Sequence, residues 1–514
     1  MSKRTVVLIV LDGWGIGYDN FTNPIYIANL ENINHIKSNY LTGSLQASGI
    51  AVGLPWGEEG NSETGHLTIG AGKVIYQHFP RITLSIRDGS FFQNKVLLEA
   101  LNHAVKNQSA VNLVGVLAEG NIHSSLEHLL TLIEFSQKIG AKKINLHLFS
   151  DDKDSAPKSI LKLLEIISDK QAKLATLSGK YYAMDRDHHW ERTNQAYDAL
   201  LGKGTPVADI KEHINNQYKR DLTDEYLEPT IVGPEINSIK DNDSVIFFNY
   251  REDSIRQIVS PFALKDFKEF PITPLKNIYL ATMTQYSDKF DANVMFPPEK
   301  IENSLGVVLA ENNKLQLRIA ETEKYAHVTY FFNGLKDVLL KNEYRILVPS
   351  RNLARHDEHP EMMAEEVSNR VMQAIEDGDI DFILANFANA DIIAHTGNFD
   401  ATVKAVKVID LEIGKIIKTA LARDGIVMIT SDHGNAEQMI SPLTGLPETK
   451  HDPNLVPVYL VGKEFVKIKN KSEISRIENE AVGILSDIAP TVLELLKIAK
   501  PAEMSGESLI GRLE

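Results

Sequence analysis

Aspartates and histidines recur in this chain directly after short apolar runs, where a sheet would present them together. Asp12 follows Val6–Leu11 and precedes Gly13-Trp14-Gly15. A carboxylate at the C-terminal end of a buried strand, beside flexible glycine, is placed for the ligand crevice of an α/β sheet. A helix cap or turn is the plainer reading of that aspartate taken alone. Asp391 and His395 stand four residues apart in Asn389-Ala-Asp391-Ile-Ile-Ala-His395-Thr-Gly-Asn398, after a second run. On a helical turn that spacing puts both on one face, good for a shared ion. Asp432 and His433 follow a third run, in Thr430-Ser-Asp-His-Gly-Asn-Ala-Glu437, and His451 lies in a loop before a further strand. One Asp-x-x-x-His pair is common on surfaces, but two clusters after strands, together with Asp12, point to bound metal. The sequence has no cysteine, so the ligands are oxygen and imidazole. That set suits Mn²⁺ or Zn²⁺, with Mg²⁺ less comfortable beside several imidazoles.

Ser62 sits in Gly57-Glu-Glu-Gly-Asn-Ser62-Glu-Thr-Gly-His66. Flanking glycines let the backbone approach a ligand, and amides at a helix start would favour an anion or an ionised serine. A serine needs a base or a metal to become a nucleophile; the alternative is a cap or turn serine. No Gly-x-Ser-x-Gly elbow is present, which disfavours an α/β-hydrolase. Lys324, after the strand candidate at Gln316, could neutralise charge on a transferring phosphoryl group, or simply be a solvated lysine. Basic groups gather at His123, Lys153-Asp154, Arg186, Arg192, Arg251 and Arg256. Each alone reads as a surface ion pair; together, in loops after strands, they suggest a pocket for a small phosphorylated acid, since guanidinium forks fit phosphate and carboxylate oxygens.

The elements that must position these groups read as α/β. Strands are expected at Val6–Leu11, Val111–Leu117, Ile144–Phe149, Ser244–Phe248, Ile278–Met283, Gln316–Ile319, Phe382–Asn386, Ile426–Thr430 and Val456–Leu460. Helices are expected at Leu126–Ile139, Ala156–Ile167, Glu361–Glu376, Ala401–Ala422 and Ile484–Lys497. Apolar runs separated by amphipathic stretches are the pattern of parallel sheets covered on both faces. The metal-ligand candidates fall in 12–62 and 391–451 and must meet, so the two ends of the chain form one domain. That domain is expected over residues 1–75 plus 300–514, with a second α/β domain, 76–299, inserted near the N-terminus and closed by Phe296-Pro-Pro298. The 514 residues are 43% hydrophobic, enough for cores of that size. A net charge of -15 excludes a general nucleic-acid or anionic-membrane binder, while leaving room for an anionic small substrate. The first apolar run is too short to span a membrane and lacks a cleavage pattern, so a soluble cytoplasmic monomer is expected.

Almost end to end, the chain resembles the cofactor-independent (2,3-bisphosphoglycerate-independent) phosphoglycerate mutases of the alkaline phosphatase superfamily. The resemblance is carried by Leu11-Asp-Gly-Trp-Gly15, Val52-Gly-Leu-Pro55, Gly60-Asn-Ser-Glu63, Tyr181-Tyr-Ala-Met-Asp-Arg-Asp187 and Leu317–Thr329. His395-Thr-Gly-Asn398, Ser431–Glu437 and Asp487-Ile-Ala-Pro-Thr491 complete it. It implies an alkaline-phosphatase-like, mostly parallel sheet sandwich and two Mn²⁺ ions, with Zn²⁺ or another divalent ion as a substitute. One ion would be held by Asp391, His395 and His451, the other by Asp12, Ser62, Asp432 and His433. No 2,3-bisphosphoglycerate would be needed. Ser62 would be the nucleophile, Lys324 would hold the phosphoryl group, and His123, Asp154, Arg186, Arg192 and Arg251 would bind the substrate. The chain departs from the family at Lys153, His189 and Ser254, each in place of a usual arginine, at Ser125 in His123-Ser-Ser125, and at Glu58-Glu59. Lysine keeps charge but not the bidentate fork, so Lys153 or Arg256 is expected to compensate. The alternative is a metal-dependent phosphatase, or a mutase of another small phosphorylated compound.

Overall fold

The computed structural model describes residues 4–441 and 443–514. The chain divides into two compact units, one of residues 1–77 and 300–514, the other of residues 78–299.

The first unit is built on an eight-stranded sheet. In spatial order its strands are Glu343–Val348, Gln316–Glu321, Phe382–Phe387, Val6–Leu11, Ile426–Thr430, Val456–Val461, Leu41–Gln46 and Ala481–Ile484. The first five are mutually parallel, whereas Val456–Val461 runs antiparallel to both its neighbours. Val6–Leu11 is apolar throughout because both faces are covered. Val7, Ile9 and Leu11 pack with Ile409, Ile413 and Ile416 of the helix Phe399–Ala422. Val6, Leu8 and Val10 pack on the other side with Ile69, Val308 and Val492. The alternation is the period of two of an extended chain, and each buried aliphatic side chain contributes about 1.5–3 kcal/mol.

Register then fixes where the polar residues emerge. Leu11 pairs with Phe387, and Val10 with both Asn386 and Thr430, so three neighbouring parallel strands end at one edge. Gln316–Glu321 ends at the same edge, pairing Ile319 with Ala385. The antiparallel strand starts there, since Val458 faces Thr430. Asp12, Asp432 and His451 in loops, Lys324 in a 3₁₀ turn and Asp391 in the short helix Asn389–Ala394 all follow strand ends, or precede a strand start, on this one edge.

The second unit has a seven-stranded sheet in the order Thr230–Ile231, Lys173–Gly179, Ile144–Ser150, Val111–Val116, Ser244–Phe247, Tyr279–Thr284 and Asn293–Phe296. All pairs are parallel except the first. Leu113, Leu146 and Ile246 face one core with Leu129 and Leu163, while Val116, Phe149 and Phe247 face another with Tyr197 and Ile258.

Two expected helices are shorter than their patterns. The stretch Ala156–Ile167 becomes helical only at Ile160, three residues past Pro157, which biases the residue before it away from helical geometry. Within Ile484–Lys497, the strand Ala481–Ile484 closes the sheet edge, a short 3₁₀ turn follows, and the α-helix spans Ile488–Leu495. Among the described residues no helix is long and apolar enough to cross a membrane.

Candidate metal centre and anion-binding loops

Ser62 opens the helix Ser62–Ala71, whose N-cap Asn61 accepts a hydrogen bond from the Thr64 amide at 2.9 Å. The buried hydroxyl donates to Asp12 Oδ1 at 3.0 Å and lies 3.0 Å from His433 Nε2. Two glycines allow this closeness. A Cβ on Gly65 would come within 2.6 Å of the Asp432 carbonyl oxygen, and one on Gly13, at φ +68°, within 2.7 Å of Asp391 Cβ.

Lys324 is buried and spends its three N–H donors on Asp12 Oδ1 at 2.6 Å, Asp391 Oδ2 at 2.6 Å and Ser62 Oγ at 2.7 Å. Burial opposes its charge, but Asp12, Asp391 and Asp432 outweigh that and raise its pKa. The loop carrying it is a 3₁₀ turn, Thr322–Lys324, followed by a π-helical turn, His327–Phe331, a departure from regular helix often found at functional positions.

Two groups of side chains offer closely spaced ligand atoms: Asp391, His433 and His451, and Asp12, Asp432 and His433. His395 adjoins the first, with Nε2 3.2 Å from Asp391 Oδ1 and 3.0 Å from His451 Nε2. The ring protons show what belongs there. Nδ1 of His395 faces the Thr449 carbonyl at 2.8 Å, Nδ1 of His451 faces that of Gly60 at 2.8 Å, and Nδ1 of His433 faces that of Gly434 at 3.2 Å. A carbonyl only accepts, so each Nδ1 carries a proton, and each Nε2 turned toward the carboxylates holds either a second proton or a cation. Asp432 Oδ2 is likewise buried without a hydrogen-bond donor: it lies 3.1 Å from His66 Nδ1, whose proton is directed to the Ser62 carbonyl at 2.9 Å. Lone pairs facing lone pairs require positive charge between them. Against the opposing effect of burial, Asp432, Asp12 and Asp391 push the His433 imidazole up to about 10. Burial opposes ionisation of Asp391 too, yet Lys324 and the surrounding histidines hold it well below the usual carboxylate range. The donor set therefore fits divalent cations bound through oxygen and imidazole.

Further residues, not singled out from the sequence, orient these candidate ligands. Asn386 Nδ2 donates to Asp12 Oδ2 at 2.7 Å and Asn435 Nδ2 to Asp391 Oδ1 at 2.8 Å. The buried Glu437 accepts from the amides of Gly15 and Asn435, both at 2.9 Å, and from Asn454 Nδ2 at 3.2 Å, tying together three ligand-bearing loops. Asn435 and Glu437 lie inside the Ser431–Glu437 motif, which could have revealed them; Asn386 carries no such signal, being one polar residue inside a strand.

In the second unit, His123, Asp154 and Arg251 are neighbours. Asp154 Oδ2 accepts from the amides of Ile122 at 2.9 Å and His123 at 3.4 Å, and the Arg251 amide donates to the His123 carbonyl at 3.4 Å. Burial raises the Asp154 carboxyl, the two amides only partly opposing it. Asp253 joins Arg251 to Arg186, each at 3.1 Å, and Asp185 holds Arg192 at 3.2 Å and His189 at 2.9 Å. Two residues expected to compensate for the missing arginines are engaged otherwise. Lys153 is exposed and pairs with Glu225 at 3.7 Å, while Arg256 donates to the Tyr286 carbonyl at 2.6 Å and pairs with Glu252 at 3.5 Å. Lys180, 3.0 Å from both His123 Nε2 and Asp151 Oδ2, is a cation overlooked in the sequence although it directly precedes the Tyr181–Asp187 motif.

A strand edge carrying oxygen and imidazole donors around a serine defines a metalloenzyme, and the profile of the Metalloenzyme superfamily matches residues 4–500. The 2,3-bisphosphoglycerate-independent phosphoglycerate mutase 1 of Methanosarcina barkeri is 45% identical over 521 aligned positions, covering 99% of this chain and 98% of its own. The corresponding mutase of Clostridium novyi is 44% identical, with coverage of 99% and 100%. Among solved structures, phosphoglycerate mutase from Leishmania mexicana, crystallised at low cobalt concentration, is 26% identical with a TM-score of 0.51, covering 99% of this chain and 98% of that one. The chain belongs to the family of 2,3-bisphosphoglycerate-independent phosphoglycerate mutases.

Proposed function

We propose that the protein interconverts 3-phosphoglycerate and 2-phosphoglycerate through a phosphoserine at Ser62, without 2,3-bisphosphoglycerate, as the glycolytic mutase of a cytoplasm. The observation that carries this reading is the Ser62 hydroxyl, hydrogen-bonded to both Lys324 and Asp12 inside the oxygen and imidazole donor set. Asp391, His395 and His451 would hold one Mn²⁺, and Asp12, Ser62, Asp432 and His433 the other; bound there, the ions supply Lewis-acid stabilisation of negative charge and lower the serine pKa. Support for a monomer is that one chain supplies every expected ligand.

Ser62 Oγ attacks phosphorus as its proton leaves toward Asp12, and the bond from phosphorus to the glycerate oxygen breaks. Lys324 neutralises charge growing on the phosphoryl oxygens. Asp154, protonated more readily than an ordinary aspartate because of burial, gives its proton to the departing glycerate oxygen. Glycerate stays bound through His123, Arg186, Arg192 and Arg251. Its other hydroxyl then gives its proton to Asp154 and attacks phosphorus, the bond from phosphorus to Ser62 Oγ breaks, and Ser62 takes its proton back from Asp12.

A second reading, a phosphatase or a mutase of another phosphorylated compound, is favoured by one observation. Lys153 and Arg256 pair with Glu225 and Glu252, so no fork replaces those missing at positions 153 and 254. Turnover of 3-phosphoglycerate by the Mn²⁺-loaded protein, coupled to enolase, separates the two. Phosphoenolpyruvate production supports the mutase; free phosphate without it overturns the mutase in favour of the phosphatase.

A further inference from the structure

The carboxyl ends of three adjacent parallel strands in the second unit bring together His123, Asp151 and Lys180. Val111–Val116 leads to His123, Ile144–Ser150 to Asp151, and Lys173–Gly179 to Lys180. Lys180 Nζ lies 3.0 Å from Asp151 Oδ2 and 3.0 Å from His123 Nε2. An ammonium group has no lone pair and can only donate. His123 Nε2 must therefore accept, and the proton of the neutral ring is on Nδ1. That Nδ1 is buried and has no hydrogen-bond partner, in a side chain only 6% exposed. The rest of the residue is held in place: its amide donates to Asp154 Oδ2, and its carbonyl accepts from the amides of Tyr250 and Arg251.

We propose that Lys180 is a positioning residue for substrate binding, holding His123 as the neutral imidazole with its proton on Nδ1 and so presenting one uncharged N–H donor to an oxygen of the phosphoglycerate. The inference rests on the mutase reading for the identity of the ligand, but the protonation state is a property of the protein alone. Lys180 thus places a positive charge beside an imidazole that stays neutral. Asp151 Oδ2, 3.9 Å from His123 Nε2, is the group that would otherwise take the ring proton. Burial, then Lys180, and more weakly Arg251, disfavour an imidazolium, while Asp151 and Asp253 favour it, and together they push His123 down to about 4. An imidazole protonated only below that value binds its ligand equally well across the neutral range. A histidine relying on charge would lose affinity as pH rises through about 6.5.

The test is a long-range ¹H–¹⁵N spectrum of the full chain, labelled at histidine nitrogens and loaded with diamagnetic Zn²⁺, with the His123 signals assigned by their loss in His123→Asn. The expected result is an Nδ1–H ring that does not titrate between about pH 5.5 and 8.5. In Lys180→Met, with Asp151 left unopposed, the ring should gain a midpoint within that range, and KM for 3-phosphoglycerate should become pH-dependent where the parent's is flat. Lys180→Arg should keep the Nδ1–H form. A wild-type His123 protonated on Nε2, or titrating near its ordinary value, overturns the proposal, and this needs no variant of Lys180 to fold. Because the spectrum is recorded without substrate, its outcome is independent of whether phosphoglycerate is turned over.

Discussion

Lys324 Nζ lies 2.7 Å from Ser62 Oγ and 2.6 Å from Asp391 Oδ2, so one buried ammonium links the proposed nucleophile to a carboxylate proposed to hold metal. The lysine and the serine are separated by 262 positions in the chain and meet because their strands end at one edge of the sheet.

Lys324→Met should lower kcat by about 10²–10³-fold, the usual effect of removing one donor from a site of developing negative charge. Lys324→Arg should recover little, because a planar fork cannot reach three acceptors converging on a single nitrogen. Steady-state turnover by the metal-loaded variants checks both.

Asn435→Ala should weaken metal binding about 10–100-fold, since its amide orients the Asp391 carboxylate at 2.8 Å and groups that orient ligands carry effects of that size. Titration of the apoprotein with Mn²⁺, followed by calorimetry, reads this directly. Unchanged affinity would remove Asn435 from the account.

These residues differ in how readily they could be read from the chain. Asp12, Asp391 and Asp432 follow closely on apolar runs, and a run buried on both faces announces its own end, so their convergence at one sheet edge is legible with the core of the sheet. Leu41–Gln46, with its threonine, glycine and serine, has no such run and is a strand through pairing with Val456–Val461 and Ala481–Ile484. Glu343–Val348 is an edge strand with exposed residues and no clear alternation. Lys180 stayed hidden for a related reason: its meaning lies in His123, 57 residues earlier, and no local spacing encodes that contact. Lys153 or Arg256 is expected to compensate because each carries the right charge, whereas the geometry pairs them with Glu225 and Glu252.

Asp154 predicts one limb of the pH profile. Burial raises its carboxyl, so the acid form that protonates the departing glycerate oxygen persists above the ordinary aspartate value of about 3.9 and is lost as pH rises further. Between the ordinary and the raised value the folded state binds more protons than the unfolded one, so this residue's contribution to stability falls as pH rises through the window. Asp154→Asn should therefore abolish the mutase rate while leaving the neutral-pH unfolding midpoint unchanged or higher. Paired kinetics and urea denaturation check the two halves.

The central claim is that Ser62 carries the phosphoryl group. Metal-loaded protein should be quenched in acid during turnover of 3-phosphoglycerate and its Ser62 peptide analysed by mass spectrometry, alongside Ser62→Ala. The expected result is a phosphorylated Ser62 in the parent and no mutase turnover in the variant. Normal turnover by Ser62→Ala would contradict it.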